Sequence, residues 1–165
     1  TALATVEGLE ISKKAADHLS GLGFGMYCGK ISEVRIDKTY DMVLAYEVVE
    51  HLRDPKTDFR TIYGLLKPGG KFMFSTGNVG SVKALAYGKR WSYYLPPQHL
   101  YYFGGRTISH YLQDAGFGAE RIAVHKYSLW SKAQAVKMGF PNLKSRLFLR
   151  LISNLTSGMT VYATK

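Results

Sequence analysis

The chain has 165 residues, of which 46% are apolar and 13% aromatic, enough to fill the core of one domain and too many for a disordered chain. A lone cysteine, Cys28, excludes a disulfide framework, and no Cys/His cluster has zinc-ligand spacing, so we expect a cytoplasmic protein with no metal. No apolar run approaches the roughly 20 residues of a membrane span, and the first residues show no signal-peptide pattern.

The net charge of +10 comes from the second half of the chain. Residues 1–82 carry ten Lys and Arg against ten Asp and Glu, whereas residues 83–165 carry twelve basic residues against only Asp114 and Glu120. A basic half suits phosphate, acidic lipid or an anionic substrate. A solvated basic surface explains the asymmetry equally well.

The first elements are predicted as strand, helix and strand. Residues 6–11 read as a strand, and Ser12 is a good N-cap for a helix over 13–22 with Ala16 and Leu22 facing inward. Residues 25–28 form a second short strand before a Gly-Lys turn. The pattern favours an α/β fold.

The central prediction is a strand followed by polar residues. Residues 42–46 are an apolar run without helical period, which predicts a strand of a parallel sheet buried on both faces. Glu47, Glu50 and His51 follow it directly. Open α/β sheets place ligand-contacting residues at the carboxyl ends of their strands, so this junction is expected to form the floor of a site.

A βαβ unit follows. Asp54 is expected to cap and Pro55 to open a helix that ends at the Pro-Gly-Gly of residues 68–70. Residues 71–76 form the next strand, and Asn78 lies just beyond it.

The remainder combines an aromatic segment with a basic insertion. Residues 79–105 are irregular and aromatic, which is typical of a functional loop, here a substrate-side loop. After a helix that is capped by Thr107 and runs through Ala115, residues 120–127 and 159–164 are predicted to form an antiparallel pair of strands. Between them, residues 131–158 form a basic amphipathic insertion, which either packs on its own domain or a dimer mate, or faces a membrane surface or substrate.

Glu10 is the first chemical candidate. An acidic residue ending the second strand of a nucleotide-binding unit binds ribose hydroxyls, about 20 residues after a glycine-rich loop. Only nine residues precede Glu10. We therefore expect the first strand and the cofactor loop to be missing from this chain; an ordinary surface glutamate is the alternative interpretation.

Four motifs in this order resemble the class I S-adenosylmethionine-dependent methyltransferases, especially the ubiquinone-biosynthesis-like small-molecule branch. They are Gly-Leu-Glu-Ile-Ser at 8–12, Tyr-Asp through Glu-Val-Val-Glu-His-Leu at 40–52, Leu-Lys-Pro-Gly-Gly-Lys at 66–71, and Pro-Pro-Gln-His-Leu-Tyr-Tyr-Phe at 96–103.

The resemblance implies a Rossmann-like methyltransferase fold, with a mostly parallel sheet and an antiparallel C-terminal hairpin. Residues 1–165 would form one N-terminally incomplete domain. The implied activity is methyl transfer from S-adenosylmethionine to a small-molecule acceptor.

Carried over residue by residue, the resemblance also assigns a cofactor site. Glu10 would bind the ribose and Ile11 would pack on the adenine, and the methionine end would meet Ala45, Tyr46 and Glu47. Lys30 stands where the family usually has an aspartate, and a lysine cannot accept a hydrogen bond from the adenine amino group. Backbone contacts from Gly29 and Ile31 remain expected.

The acceptor side is assigned to histidines and aromatic residues. His99 is the first catalytic candidate and His51 the second, each with a structural role as the alternative. Asn78, Trp91, Tyr94 and Tyr101 are candidate substrate contacts. The alternatives are a turn for Asn78 and packing of a lid for the aromatic residues.

Other classes of function stay open. A non-catalytic methyltransferase-like chain would bind a partner or lipid surface through the basic insertion. A homodimer is a separate prediction. A nicotinamide-dependent oxidoreductase would also use an acid such as Glu10 but has no use for the histidine motifs. Basic and aromatic residues between 89 and 106 permit nucleic-acid stacking, which the absence of an RNA-binding motif disfavours.

Overall fold

The computed structural model describes residues 5–126 and 157–165. The chain divides into two compact units, Thr1–Thr39 and Tyr40–Lys165, and each is described by itself. Among the described residues, no helix combines the length and the apolarity needed to cross a membrane.

The first unit is a small parallel βαβ arrangement. Strands β1 (Glu7–Glu10) and β2 (Gly25–Cys28) pair in parallel, and helix α1 (Lys13–Gly21) connects them. The predicted cap is confirmed, because the Ser12 hydroxyl accepts a hydrogen bond from the Ala15 N–H at 3.4 Å. Leu22, expected to face inward, lies just past the helix end and is 62% exposed.

The second unit contains a four-stranded sheet. Its strands are β3 (Tyr40–Tyr46), β4 (Leu66–Gly77), β5 (Ile122–Lys126) and β6 (Gly158–Thr164), in the spatial order β3-β4-β6-β5. β3 and β4 are parallel, whereas β6 runs antiparallel to both β4 and β5. The carboxyl ends of β3 and β4 therefore lie side by side, and this edge carries the candidate site.

Burial of β3 differs from the prediction. Its alternate side chains Met42, Leu44 and Tyr46 are exposed, so the expectation of a strand buried on both faces is wrong. An apolar run indicates a strand, but it does not indicate how many neighbouring elements cover that strand. Among the described residues, β3 pairs with β4 alone.

Helix α2 (Pro55–Leu65) begins as predicted, because the Asp54 carboxylate accepts a hydrogen bond from the Thr57 N–H at 3.2 Å. Helix α3 (Val82–Tyr87) lies within the segment expected to be irregular. Helix α4 (Gly105–Ala115) starts two residues before the expected cap, Thr107, and ends at Gly116 in the left-handed conformation.

The core of the second unit is aromatic. Phe59 of α2 is fully buried, and its ring centroid lies 5.9 Å from those of Phe72 and Phe74 on β4 and 6.3 Å from that of Tyr111 on α4. This packing fixes α2 and α4 on one face of the sheet. It thereby holds the β3–α2 and β4–α3 junctions in place.

The predicted basic amphipathic insertion, residues 131–158, lies outside the described residues except for its last two positions. The hypotheses that depend on it, membrane contact and dimerisation, stay predictions.

Candidate functional site

Glu47 follows β3 directly and has an unusual backbone conformation. Its φ of 53° falls in the left-handed region, which residues other than glycine seldom adopt and which is enriched at functional sites. The Glu47 N–H donates to the main-chain oxygen and to Oγ of Ser75, each at 3.2 Å. Ser75 Oγ in turn donates to Glu47 Oε1 at 2.8 Å. The end of β4 thus fixes both the backbone and the carboxylate of Glu47.

Glu50 lies in the short 3-10 helix Val49–His51 and is completely buried. Thr76 Oγ1 donates to Glu50 Oε2 at 3.0 Å. The main-chain carbonyl of Glu50 accepts hydrogen bonds from the N–H groups of Leu100 and Tyr101, at 2.9 and 3.2 Å. The motif that contains His99 is therefore attached to the β3–α2 junction.

Tyr93 joins the two glutamates. Its hydroxyl makes close contacts with Glu47 Oε2 and Glu50 Oε1. The ring packs against the end of β4 so closely that a Cβ at Gly77 would lie 2.2 Å from it. Burial raises the pKa of the Tyr93 phenol, and its hydrogen bonds to Glu47 and Glu50 raise it further. Tyr93 therefore stays a neutral phenol and is not a base at physiological pH.

The two candidate catalytic histidines are adjacent. Their ring centroids lie 4.8 Å apart in an edge-to-face arrangement. His51 Nδ1 lies 2.8 Å from the carbonyl oxygen of Gln98, and His99 Nδ1 lies 2.8 Å from that of Tyr93. Because a carbonyl only accepts, each Nδ1 carries the proton of this bond, and each neutral ring keeps its lone pair on Nε2.

A surface groove of about 650 Å³ opens beside this cluster. This volume is in the range of small-molecule sites. The groove brings His51 together with the cationic Arg53 and with the loop that carries His99; its lining residues are His51, Arg53, Pro97, Gln98, Leu100 and Tyr101.

The predicted substrate contacts have different environments. Tyr101 lines the groove, and its hydroxyl donates to the Arg53 carbonyl at 3.3 Å. Trp91 is buried and stacks on Tyr93 at 5.4 Å. Tyr94 is partly exposed beside Tyr102. Asn78 is buried and accepts a hydrogen bond from the Gly80 N–H at 3.0 Å, the turn-forming role given above as its alternative.

The predicted ribose-binding residue lies in the first unit. Glu10 Oε1 accepts the Ser12 N–H at 2.8 Å, and no other described residue hydrogen-bonds to this half-exposed carboxylate. The Gly29 N–H donates to the Glu10 carbonyl at 3.0 Å, and Gly29 has a φ of 139°. A Cβ at Gly29 would lie 2.7 Å from the side chain of Val34. A glycine is therefore required in this turn.

These residues fit the ribose and one face of an adenine, but not the adenine amino group. The Glu10 carboxylate retains lone pairs for ribose hydroxyls, and Ile11 presents an apolar side chain that is 72% exposed. Lys30 instead bonds to Glu33, and Ile31 follows it in the same turn. In the second unit Ala45 is half-buried and Tyr46 is exposed, and these two residues precede Glu47 in the sequence.

Sequence reasoning did not single out Ser75 or Thr76, and it considered Tyr93 only as one of several aromatic residues that could form a substrate pocket, not as a partner of the glutamates. Ser75 and Thr76 end β4, so the rule that selected Glu47 at the end of β3 also applied to them. Tyr93 is 46 residues from Glu47 along the chain. It lies among many aromatic residues, and no local signal distinguished it.

Comparison with known proteins identifies the class of protein to which this chain belongs. A family model described as a methyltransferase domain matches residues 3–121, well over half of the chain. The chain therefore belongs to the methyltransferase domain family. Its resemblance to class I S-adenosylmethionine-dependent methyltransferases is confirmed.

Curated relatives match shorter stretches. The chain is 36% identical over 83 residues to a ubiquinone biosynthesis O-methyltransferase of Vibrio parahaemolyticus, covering 46% of this chain and 35% of that protein. It is 29% identical over 79 residues to a malonyl-[acyl-carrier protein] O-methyltransferase of Priestia megaterium, covering 47% of this chain and 27% of that protein. The matched region spans about a third or less of these relatives.

Solved structures confirm the Rossmann-like fold. A methyltransferase from Thermotoga maritima superimposes with a TM-score of 0.66 at 15% identity, covering 99% of this chain and 84% of that one. Phosphoethanolamine N-methyltransferase 2 of Haemonchus contortus, solved with S-adenosyl-L-methionine, gives 0.60 at 17% identity, covering 98% of this chain and 43% of that one.

Proposed function

We propose that this chain carries out methyl transfer from S-adenosylmethionine to an oxygen atom of a small molecule. The observation that carries the proposal is the adjacent pair His51 and His99, whose Nδ1 atoms are both engaged with main-chain carbonyls. That arrangement leaves the Nε2 lone pair of each neutral ring available, and His51 lines a groove of small-molecule size. The named O-methyltransferase relatives support oxygen as the acceptor atom.

When bound, S-adenosylmethionine supplies a methyl group on a positively charged sulfur. A hydroxyl acceptor loses its proton as its oxygen attacks that carbon, and a positioned base contributes about 10²–10⁴-fold to the rate. His99 is half-buried and fixed by the Tyr93 carbonyl, which orients Nε2 as a proton acceptor. His51 is exposed on the groove, where an acceptor enters.

Glu10 holds the ribose hydroxyls in this proposal, because its carboxylate is oriented by Ser12 and still has acceptor capacity. Calorimetric titration with S-adenosylhomocysteine tests this role. Glu10→Gln is expected to weaken binding at least about tenfold, because hydrogen bonds to an ionised acceptor are roughly twice as strong as neutral ones. The control Asp17→Asn changes an exposed carboxylate on α1 that pairs with Lys13, and is expected to bind normally.

A transfer assay with radiolabelled S-adenosylmethionine tests the reaction. We expect labelled methyl groups in aromatic acceptors that carry a hydroxyl and in acceptors that carry a carboxylate. We expect little label in the corresponding amines. His99→Asn keeps a donor for the Tyr93 carbonyl but lacks Nε2, so it is expected to lower kcat about 10²-fold or more with unchanged S-adenosylhomocysteine binding.

The exposed His110 provides the matched control, and His110→Asn is expected to retain full activity. Transfer to amines alone would overturn the assignment of oxygen. A folded chain that binds S-adenosylhomocysteine but transfers no methyl group to any acceptor would favour the non-catalytic hypothesis.

A further inference from the structure

The groove beside the two histidines contains one permanent charge. Of the six residues that line it, Arg53 alone has a side chain that is cationic at every physiological pH, whereas His51 is a neutral ring in the arrangement described above. Pro97, Leu100 and Tyr101 supply apolar and aromatic surface around this cation. A molecule that enters the groove therefore meets a guanidinium at one point and largely apolar surface beside it.

The Arg53 guanidinium forms no ion pair within residues 5–126 and 157–165. The acidic residues nearest to it in the sequence are engaged elsewhere. Asp54 caps α2, and Glu50 is buried with its carboxylate bonded to Thr76 and Tyr93. The N–H donors of the guanidinium are thus available to a ligand.

The main chain holds Arg53 in place at the groove. The Tyr101 hydroxyl donates to the Arg53 carbonyl at 3.3 Å, and the Tyr101 ring stacks on that of the buried Phe103 with the centroids 5.7 Å apart. Because Leu52 has an extended backbone, the Cα atoms of His51 and Arg53 lie about 6–7 Å apart. Both side chains line the groove, so one small molecule can contact the two of them.

We propose that Arg53 selects the acceptor, and that the molecule methylated by this chain carries an oxyanion, a carboxylate or a phosphate group, on the apolar or aromatic skeleton that bears its hydroxyl. A guanidinium suits such groups because its planar set of N–H donors binds two oxygens of a carboxylate or phosphate at once. This inference rests on the proposed function and names the class of acceptor within it. Arg53 acts as a specificity residue and not as a base.

The oxyanion anchors the acceptor and is itself unchanged by the reaction. With that group bound to Arg53, the hydroxyl is confined to the part of the groove that His51 lines, and such orientation favours reaction. The hydroxyl oxygen forms a bond to the methyl carbon while the bond from that carbon to sulfur breaks, and the hydroxyl proton passes to a histidine Nε2. The products are the methyl ether and S-adenosylhomocysteine. A neutral analogue keeps the reacting hydroxyl but loses the anchor, and specificity is this difference in affinity.

Three probes built on one skeleton test the inference: para-hydroxyphenylacetate, its neutral amide para-hydroxyphenylacetamide, and para-hydroxybenzylphosphonate. Nuclear magnetic resonance titrations measure their Kd values on the full chain, with and without S-adenosylhomocysteine, so that no methyl transfer is needed. We expect at least one of the anions to bind about fivefold or more tightly than the amide, because charge-assisted bidentate hydrogen bonds are about twice as strong as neutral ones. Tighter binding of the carboxylate would identify hydroxy acids as acceptors, and tighter binding of the phosphonate would identify phosphate esters.

Three variants assign the preference for anions to one side chain. Arg53→Gln removes the charge and is expected to abolish the preference while leaving the Kd of the amide unchanged. Arg53→Lys retains the charge but lacks the planar donors, so an intermediate preference is expected. The control Arg121→Gln removes an equal charge from an exposed arginine of the same unit, which lies outside the groove beside Glu120, and is expected to keep the full preference.

The Nε–H resonance of Arg53 gives a direct measurement of contact. It is observed in a chain that contains isotope-labelled arginine and is assigned by its loss in Arg53→Gln. The preferred anion is expected to shift this resonance, whereas the amide is expected to leave it in place. A purely structural role of Arg53 would not produce a shift that depends on the charge of the probe.

The outcomes separate this inference from the proposed function. Equal Kd values for the anions and the amide, no binding of either anion at millimolar concentration, or a preference that survives in Arg53→Gln overturns the inference and leaves methyl transfer intact. Binding of an anion at Arg53 in a chain that transfers no methyl group overturns the proposed function and leaves the anion site. In a chain that does transfer, Arg53→Gln is expected to raise KM for the preferred anion at least about fivefold with little change in kcat, because binding common to the ground state and the transition state is lost.

Discussion

The two units of the chain are stabilised in different ways. In residues 5–39 the only buried side chain is Ala16, and α1 is supported by a cap and by the exposed Lys13–Asp17 pair. The second unit buries an aromatic core around Phe59 together with Glu50 and its hydroxyl partners. Exposed ion pairs stabilise little, whereas apolar burial dominates folding. The ribose-binding candidate Glu10 thus belongs to the weakly packed unit. Glu50, His51 and His99 belong to the well-packed unit.

The largest effect is expected from Phe59→Ala. Deleting this fully buried ring removes contacts with Phe72, Phe74 and Tyr111, and such truncations cost about 3–5 kcal/mol. Urea denaturation followed by tyrosine and tryptophan fluorescence measures the loss. A loss below about 1 kcal/mol would contradict the view that this core stabilises the second unit.

A smaller loss in the free energy of unfolding is expected from Thr76→Val. This change preserves the shape of the side chain but removes the hydroxyl that donates a hydrogen bond to the buried Glu50. Leaving a buried acceptor without its partner costs about 1–3 kcal/mol. The control Thr61→Val removes a more exposed hydroxyl that donates to the Thr57 carbonyl, and is expected to change the free energy of unfolding by less than about 0.5 kcal/mol. Equal effects of the two variants would argue against a stabilised carboxylate at Glu50.

The helix caps allow a matched comparison of the two units. Ser81 is buried and accepts the Ala84 N–H at 3.1 Å, whereas Ser12 is exposed and accepts the Ala15 N–H at 3.4 Å. We expect Ser81→Ala to cost about 1–2 kcal/mol and Ser12→Ala about 0.5 kcal/mol. Hydrogen exchange of the amides in the first turn of α3 and of α1 measures how much each cap stabilises its own helix. A larger effect at Ser12 would reverse the comparison.

The smallest effect is expected from Leu22→Ser. This side chain is 62% exposed just beyond α1, so its replacement should change stability by no more than about 0.5 kcal/mol. Hydrogen exchange within α1 is the appropriate measurement. A clear acceleration would show that Leu22 contributes to packing in solution and that the first unit has more of a core than Ala16.

Much of the fold was predictable because its signals are local. Ser12 and Asp54 cap their helices as their residue types predict, and the apolar runs at 42–46 and 71–76 are strands. Burial was less predictable, since exposure of Leu44 depends on which strands lie beside β3. Periodicity contains no information about that.

The candidate site was predictable only in part, for a similar reason. The ends of parallel strands share an edge, and this identified Glu47 and His51. The bonds from Tyr93 to the glutamates and from the histidines to the carbonyls of Gln98 and Tyr93 join residues far apart in sequence. They depend on how the segment after α3 folds back over β4, and residue types alone do not specify this.

The left-handed backbone of Glu47 has a consequence for how this position tolerates change. Glycine adopts a φ of 53° without strain, but it has no carboxylate to bond Ser75 and contact Tyr93. A change to glycine therefore relieves the main chain and removes the placed charge in the same step. Main-chain strain favours glycine at this residue, whereas the contacts with Ser75 and Tyr93 favour glutamate. A glutamate retained here across related chains would thus show that placement of the carboxylate outweighs the strain.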